Sequence, residues 1–497
     1  MICHTLQFAG VVLSFFPGWR PASIGYIDNA DPAYPVRCHW ERAEDSKRCE
    51  DVLVYMENAW RAQVDVAGFR PPYPDEDGRV DLYLTNDYTY GGAYTYNNEG
   101  DLDDKDGVVG GPAFMAVDWG VPDNQMEGYV SHEFNHVLQY ATDMMEPTYN
   151  IWEGTATASE MWTSGKPFPT DVFYMSDFQD IPWMGLLGDG YLAWHGYSVY
   201  SYYEYGSVAW IRHLEHHWGD GTGIAGAALW EAAAQAWAPN EPDVIEAYDT
   251  VTGNWRDAWL HFHEERARMG TPDAPDWQGI ADEDLAIGVE EELDYGKLPG
   301  TVISAMPVFQ TGAMYVAVNG MAEGEAVQIT AVGDGLDEWG TVAIEGAEGT
   351  YADADSLVWV GQGGQVLLAV VHLGYPDFDG DDALIPRSLQ VLVEATEPPP
   401  PKDTGDTGDT GTPDTDPPDT DTDPQDTDSD ADTGEPGGVD TAQPTGPQDS
   451  GKAGGCGCAG SGSAGWLVWP GAVLALALRR RRMPSPRACR TGAVLRR

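Results

Sequence analysis

Apolar positions recur at helical spacing through the first half of the chain and at alternating spacing through most of the second. Between residues 45 and 66, Val52, Leu53, Met56, Trp60 and Val64 fall on one side of a helix. Arg70-Pro-Pro-Tyr-Pro-Asp75 breaks that pattern, and Arg79-Val-Asp-Leu-Tyr-Leu-Thr85 alternates as a strand. The Gly91-Gly-Ala-Tyr94 and Asp101-Leu-Asp-Asp-Lys-Asp-Gly107 runs read as loops, and Phe114 to Trp119 as a strand. Val130, Phe134, Val137 and Leu138 then suit a buried helix over 128–140, and Asn150 to Trp162 opens a second. Helical spacing continues through Ser207–His217, Gly223–Trp237, Asp243–Val251 and Trp255–Met269. From about 280 to 396 it gives way to alternating runs between glycines, such as Ala313–Val318, Ala326–Val332, Val366–Val371 and Ser388–Val393. The expectation is an α+β chain: a first region, mostly helical in its C-terminal part, and then a small β-sandwich.

The first buried helix carries chemistry. His132-Glu133-x-x-His136 places two imidazoles four positions apart, on one helical face, where both reach one metal ion. Glu133 then lies beside the attacking water, whose proton it can take. Zinc suits neutral imidazole and lowers the pKa of bound water to about 7. A catalytic zinc site needs a third ligand, and Glu153 lies 17 positions after His136 at the start of the next helical pattern. That gap allows one turn and an antiparallel return.

The run Trp152-Glu-Gly-Thr-Ala156, with Glu160 seven positions after Glu153, resembles the second zinc helix of gluzincin metallopeptidases. The aminopeptidase N family carries a similar Asn-Glu-Gly-Phe-Ala run with a later glutamate. The resemblance spans about residues 30–270 and implies a zincin-like domain. It makes His132, His136 and Glu153 the zinc ligands and Glu133 the general base. Tyr203-Glu-Tyr-Gly206 resembles that family's Tyr-x-x-Gly element, which makes Tyr203 the oxyanion donor, with Tyr205 behind it and His195 a further candidate. In zincins the strand before the zinc helix borders the cleft and pairs with extended substrate, here Phe114 to Trp119.

Two departures matter. No Gly-x-Met-Glu-Asn segment precedes the zinc helix, so nothing captures a free amino end and an endopeptidase is expected. Thermolysin-like enzymes place an aspartate four positions after the third ligand, where this chain has Thr157. The groups that orient the histidines must therefore be built differently.

Composition places this region in a setting. Of a formal charge of −55, residues 1–396 carry −49, which disfavours nucleic acid and anionic membrane as partners. The partner expected is a protein or peptide substrate; oligomeric state is left open. Leu6 to Phe16 is apolar like a signal peptide but lacks a preceding Lys or Arg, so 1–29 stands between a signal segment and a mis-set start. Cys38 and Cys49 suit a disulfide in an exported protein. Asp101, Asp103 and Asp106 are a weak calcium candidate without the closing glutamate of an EF-hand loop. His213, His216 and His217 read as surface or structural residues.

The C-terminal hundred residues are of another kind. Residues 397–455 are rich in Asp, Thr, Pro and Gly and read as a disordered stalk. Cys456-Gly-Cys458, a short apolar stretch ending at Leu478, and Arg479 to Arg482 follow, leaving 483–497 as a cytoplasmic tail. Together these resemble the tripartite MYXO-CTERM sorting tail of bacterial surface proteins, which implies export and attachment to the cell envelope. The domain reading is thus 30–275 catalytic, 280–396 sandwich, 397–455 stalk and 456–482 sorting tail. The rival is a surface adhesin that keeps the scaffold without catalysis.

Overall fold

The computed structural model describes residues 20–400, except 74, 76, 88, 90–91, 98–109, 145, 147, 187–202, 237–243, 281–282, 333–337 and 375–385. The stalk beyond residue 400, the sorting tail, the aspartates at 101–106 and His195 all lie outside the described residues. The described residues all belong to one compact unit. Its content is mixed helix and sheet, an α+β fold.

The N-terminal sheet runs β1 (Gly25–Asp28), β2 (Val36–Trp40), β3 (Val80–Leu84), β5 (Ala113–Val117) and β4 (Ala93–Asn97) in spatial order. β2, β3 and β5 are parallel, and β1 and β4 flank them antiparallel. All five residues of β5 are buried, as a central parallel strand requires. The strand expected to border a cleft is therefore interior. The edge position belongs to β4, in which Tyr94-Thr-Tyr96 supplies strand-forming residues straight after the glycines that read as a loop.

α1 (Ser46–Trp60) packs on this sheet and tightens its hold through a Cys38–Cys49 disulfide to β2. It ends earlier than the apolar spacing suggested. Residues Arg61–Val66 continue as a π-helical turn, which brings Gln63 inward to donate to the Ser131 carbonyl at 3.0 Å.

α2 (Asp123–Thr142) and α3 (Tyr149–Ser164) form the centre of the helical layer. α4 (Pro169–Asp180), the one-turn α5 (Tyr203–Gly206), α6 (Val208–Trp218), α7 (Ile224–Ala236), α8 (Val244–Thr252) and α9 (Trp255–Arg266) complete it. Two glycines let these helices meet. A Cβ at Gly206 would run into the Tyr174 carbonyl on α4, and one at Gly154 into the Ser207 hydroxyl.

The chain then builds two sheets, β11-β10-β13-β8-β6 and β12-β9-β14-β7. Here β6 is Glu291–Asp294, β7 Gly300–Ile303, β8 Ala313–Asn319, β9 Ala326–Val332 and β10 Trp339–Glu345. β11 is Glu348–Ala352, β12 Ser356–Val360, β13 Val366–His372 and β14 Gln390–Thr396. Val316, Val318, Leu368 and Val370 face Val302, Ile329, Val391 and Val393 of the second sheet in one apolar cluster. The alternate residues Ala313, Tyr315, Val342, Ile344, Ala369 and Val371 join the core of the helical region. Period-two alternation thus makes β8, β10 and β13 a middle layer, apolar on both faces.

Thr311 ties the layers together. Its amide donates to the His372 carbonyl at 2.7 Å, its hydroxyl accepts from the Leu186 amide at 2.6 Å, and its carbonyl accepts from Trp259 Nε1 at 2.9 Å. It holds a φ of +66°, a costly value for a β-branched residue and one kept only where surrounding bonds enforce it. Trp259→Phe removes the helix-side bond and leaves a buried carbonyl under-satisfied. Chemical denaturation should show a loss of about 1–3 kcal/mol in a single transition. Separate transitions for helices and sandwich would contradict a shared core.

Candidate metal centre

α2 starts after Pro122 with Asp123 in its first turn, an acid suited to the positive helix end. α3 ends on Gly165 in the left-handed conformation (φ +70°), a common helix stop. The two helices run antiparallel, with Gln139 opposite Trp152 and Ser131 opposite Ser159 and Thr163. Small residues line the contact: Gly128 leaves room for the Glu160 carboxylate, and the Ser131 hydroxyl donates to the Ser159 carbonyl at 2.9 Å.

That packing brings His132, His136 and Glu153 together, with one ligand atom from each lying within 4.8 Å of the others. Glu153 Oε2 is 3.1 Å from His132 Nε2 and 3.5 Å from His136 Nε2. All three side chains are buried, and Glu153 Oε1 meets no hydrogen-bond donor among the described residues. Two imidazole nitrogens converge on Glu153 Oε2 in a buried space, with Oε1 of the same carboxylate left without a donor, a set that suits a divalent metal.

The outer rings of contact explain the odd Thr157. His132 Nδ1 lies 3.0 Å from Glu160 Oε1, and His136 Nδ1 lies 2.6 Å from Gln139 Oε1. Gln139 in turn donates to Asn135 Oδ1 at 2.7 Å and to the Trp152 carbonyl at 2.9 Å. Glu160, two helical turns after Glu153, thus does the orienting that an aspartate at position 157 would have done. Thr157 is buried and its hydroxyl finds no partner among the described residues.

Glu133 sits on the same helix, buried, and accepts from Thr95 Oγ1 on the edge strand β4 at 2.8 Å. Burial pushes its carboxyl up, against the pull of His136 and His132. Burial would also lower His132, but its hydrogen bonds to Glu153 and Glu160 outweigh it and hold the ring well above its usual value. For Glu153 burial works upward and the two histidines downward; the histidines win and the carboxyl falls to about 2.

The two tyrosines are placed differently. Tyr203 is fully buried against Phe178, with ring centroids 4.9 Å apart, and donates its hydroxyl to the Gly185 carbonyl at 3.0 Å. Tyr205 stacks on His132 at 5.7 Å and lies tilted against Tyr174 at 4.9 Å. Burial, then the charges of Glu153 and Glu204, hold its phenol well above its ordinary value, so it remains a proton donor. Residues two apart on a helical turn point to different sides, so only one of the pair can face the metal centre. It is Tyr205, and the motif spacing that pointed to Tyr203 carried no information about which side of α5 meets α2.

No protein-family model matches the chain, and no curated protein matches it. Among solved structures, it is similar to the pre-peptidase C-terminal domain of collagenase from Bacillus anthracis at 13% identity and a TM-score of 0.16. The match covers 21% of this chain and 96% of that domain. A likeness of that size says nothing about the chemistry at His132.

The metal-free centre has a definite pH signature. The raised His132 contributes stability that is complete below its ordinary 6.5 and lost as pH rises through its folded value. The depressed Glu153 contributes stability that is complete above its ordinary 4.5 and lost as pH falls toward 2. Chelator-treated protein should therefore hold this contribution in full between about pH 4.5 and 6.5 and lose it on either side. Because a ligating imidazole is neutral, zinc uptake at pH 7 should also expel about one proton. Calorimetry in buffers of different ionisation enthalpy measures that proton, and zinc uptake without release contradicts the His132 assignment.

Proposed function

We propose that the protein is a zinc metallopeptidase of the gluzincin type, an endopeptidase held at the cell envelope by its C-terminal tail. The observation that carries this reading is the position of Glu133. It is buried one residue after His132, beside a centre of two imidazoles and a carboxylate, and held by Thr95 of an edge strand. A scaffold that only stored metal has no use for that carboxylate.

Zinc, when bound by His132, His136 and Glu153, supplies a Lewis acid for a scissile carbonyl and lowers the pKa of water to about 7. Glu133 takes the proton of the attacking water and hands it to the departing amine. Its raised pKa suits both halves of that task. The Tyr205 phenol donates to the carbonyl oxygen as negative charge gathers there. An extended peptide adds to the edge strand β4, whose Thr95 already touches Glu133. The absent Gly-x-Met-Glu-Asn segment supports cleavage within chains. The acidity of residues 1–396 fits an exported protein, and the Cys456-Gly-Cys458 tail fits envelope attachment.

Glu133→Gln should keep its metal and lose peptidase activity by about 10²–10⁴-fold, the usual worth of a positioned general base. Tyr205→Phe should lower kcat by about 10²-fold, as loss of one oxyanion donor does, whereas Tyr203→Phe should change kcat little. Peptide-library digestion with these variants is the measurement. A Glu133→Gln enzyme as active as the parent would sink the proposal. A strict need for a free N-terminus would replace the endopeptidase with an aminopeptidase.

A further inference from the structure

A second histidine cluster lies where α6 meets α9. His213 and His217 stand four apart on α6, and His261 and Glu265 stand four apart on α9. Each pair shares one helical face, and where α6 meets α9 the two faces confront each other. His213 is fully buried, while His216 is exposed and lies outside the cluster.

The ring centroids of His213 and His217 are 4.5 Å apart, those of His217 and His261 4.6 Å, and those of His213 and His261 5.3 Å. One ligand atom from each histidine lies within 4.8 Å of the other two. Glu265 Oε2 is 2.8 Å from His213 Nδ1 and 3.0 Å from His217 Nε2, and Oε1 is 3.7 Å from His261 Nε2. Trp277 Nε1 donates to the same carboxylate and fixes it. His213 Nε2 is buried with no hydrogen-bond partner among the described residues.

We propose that His213, His217 and His261 form a second metal site, for a divalent first-row transition ion of the zinc class, with Glu265 positioning the rings. Imidazoles are donors such ions take, and the adjacent carboxylate offsets the ion's charge. The site clamps α6, which directly follows the turn bearing Tyr205, to α9, which lies on the sandwich. The competing use of the cluster is a carboxylate that neutralises protonated histidines. Burial opposes that use by favouring the neutral, ligating form of His213 and His261. Other charges near the cluster are Asp257 and Arg268, and the latter is engaged with Glu264 at 2.9 Å. The His217 and His261 side chains are 24% and 28% exposed, which gives an ion a way in from solvent.

The proposal does not rest on the first centre, and one experiment separates them. Full-length protein, stripped with chelator, is titrated with zinc alone and its metal content and thermal stability are followed. His217→Ala and His261→Ala alter partly exposed side chains and are compared with Glu153→Ala. Each of the two histidine variants should bind one zinc fewer than the parent, or bind it more than about 100-fold more weakly, beyond the usual loss from an outer-shell change. Zinc should still raise the melting temperature of Glu153→Ala, and that rise should vanish when His217→Ala is added. Should the peptidase reading fail, the parent would hold a zinc that survives Glu153→Ala and is lost in His217→Ala. Zinc content and affinity unchanged in both histidine variants would overturn the second site.

Discussion

The antiparallel contact of α2 and α3 is the constraint on which the rest depends. A buried glutamate and two buried histidines are costly to desolvate, and only their mutual attraction or a shared metal offsets that cost. The contact works because its inner surface is small. Gly128 admits the Glu160 carboxylate, Ser131 and Ser159 let the backbones approach, and Gly154 lets α3 lie against the turn at Ser207. Glu153 then falls between His132 and His136, and Glu160 reaches the far nitrogen of His132.

The surrounding layers hold this contact still. β4 brings Thr95 to Glu133 from one side, and α5 brings Tyr205 onto His132 from another. The middle sheet is apolar on both faces, so the helical layer and the sandwich share their burial through Tyr315, Val342 and Ala369. His263 of α9 lies 2.7 Å from the Tyr315 hydroxyl, and Arg266 is buried against Phe178 while bonding Gln179 at 2.6 Å.

Much of this was legible in the sequence, for reasons tied to local periodicity. His132 and His136 are four apart on a patterned helix, so their convergence follows from helical geometry alone. Glu153 needed only one turn and an antiparallel return. Glu160 was visible as a residue, but not as the partner of His132, because that role depends on how deeply α3 nests against Gly128. The spacing that points to Tyr203, with Tyr205 behind it, does not say which side of α5 meets α2; Gly206 packs on Tyr174, some thirty positions earlier, and the Tyr205 ring lies on His132. β4 was hidden by its own leading glycines. The cluster at Glu265 combines two four-residue spacings from helices far apart in sequence, and neither spacing alone carried a signal.

The central claim is that His132, His136 and Glu153 hold one zinc ion with Glu133 beside it but not bound to it. Anomalous diffraction at the zinc edge from crystals of the zinc-loaded protein tests this most directly. The account predicts a peak about 2.0–2.2 Å from one nitrogen of each histidine and from a Glu153 oxygen, with Glu133 outside bonding distance. Zinc density confined to His213, His217 and His261, or a peak ligated by Glu133 in place of Glu153, would contradict it.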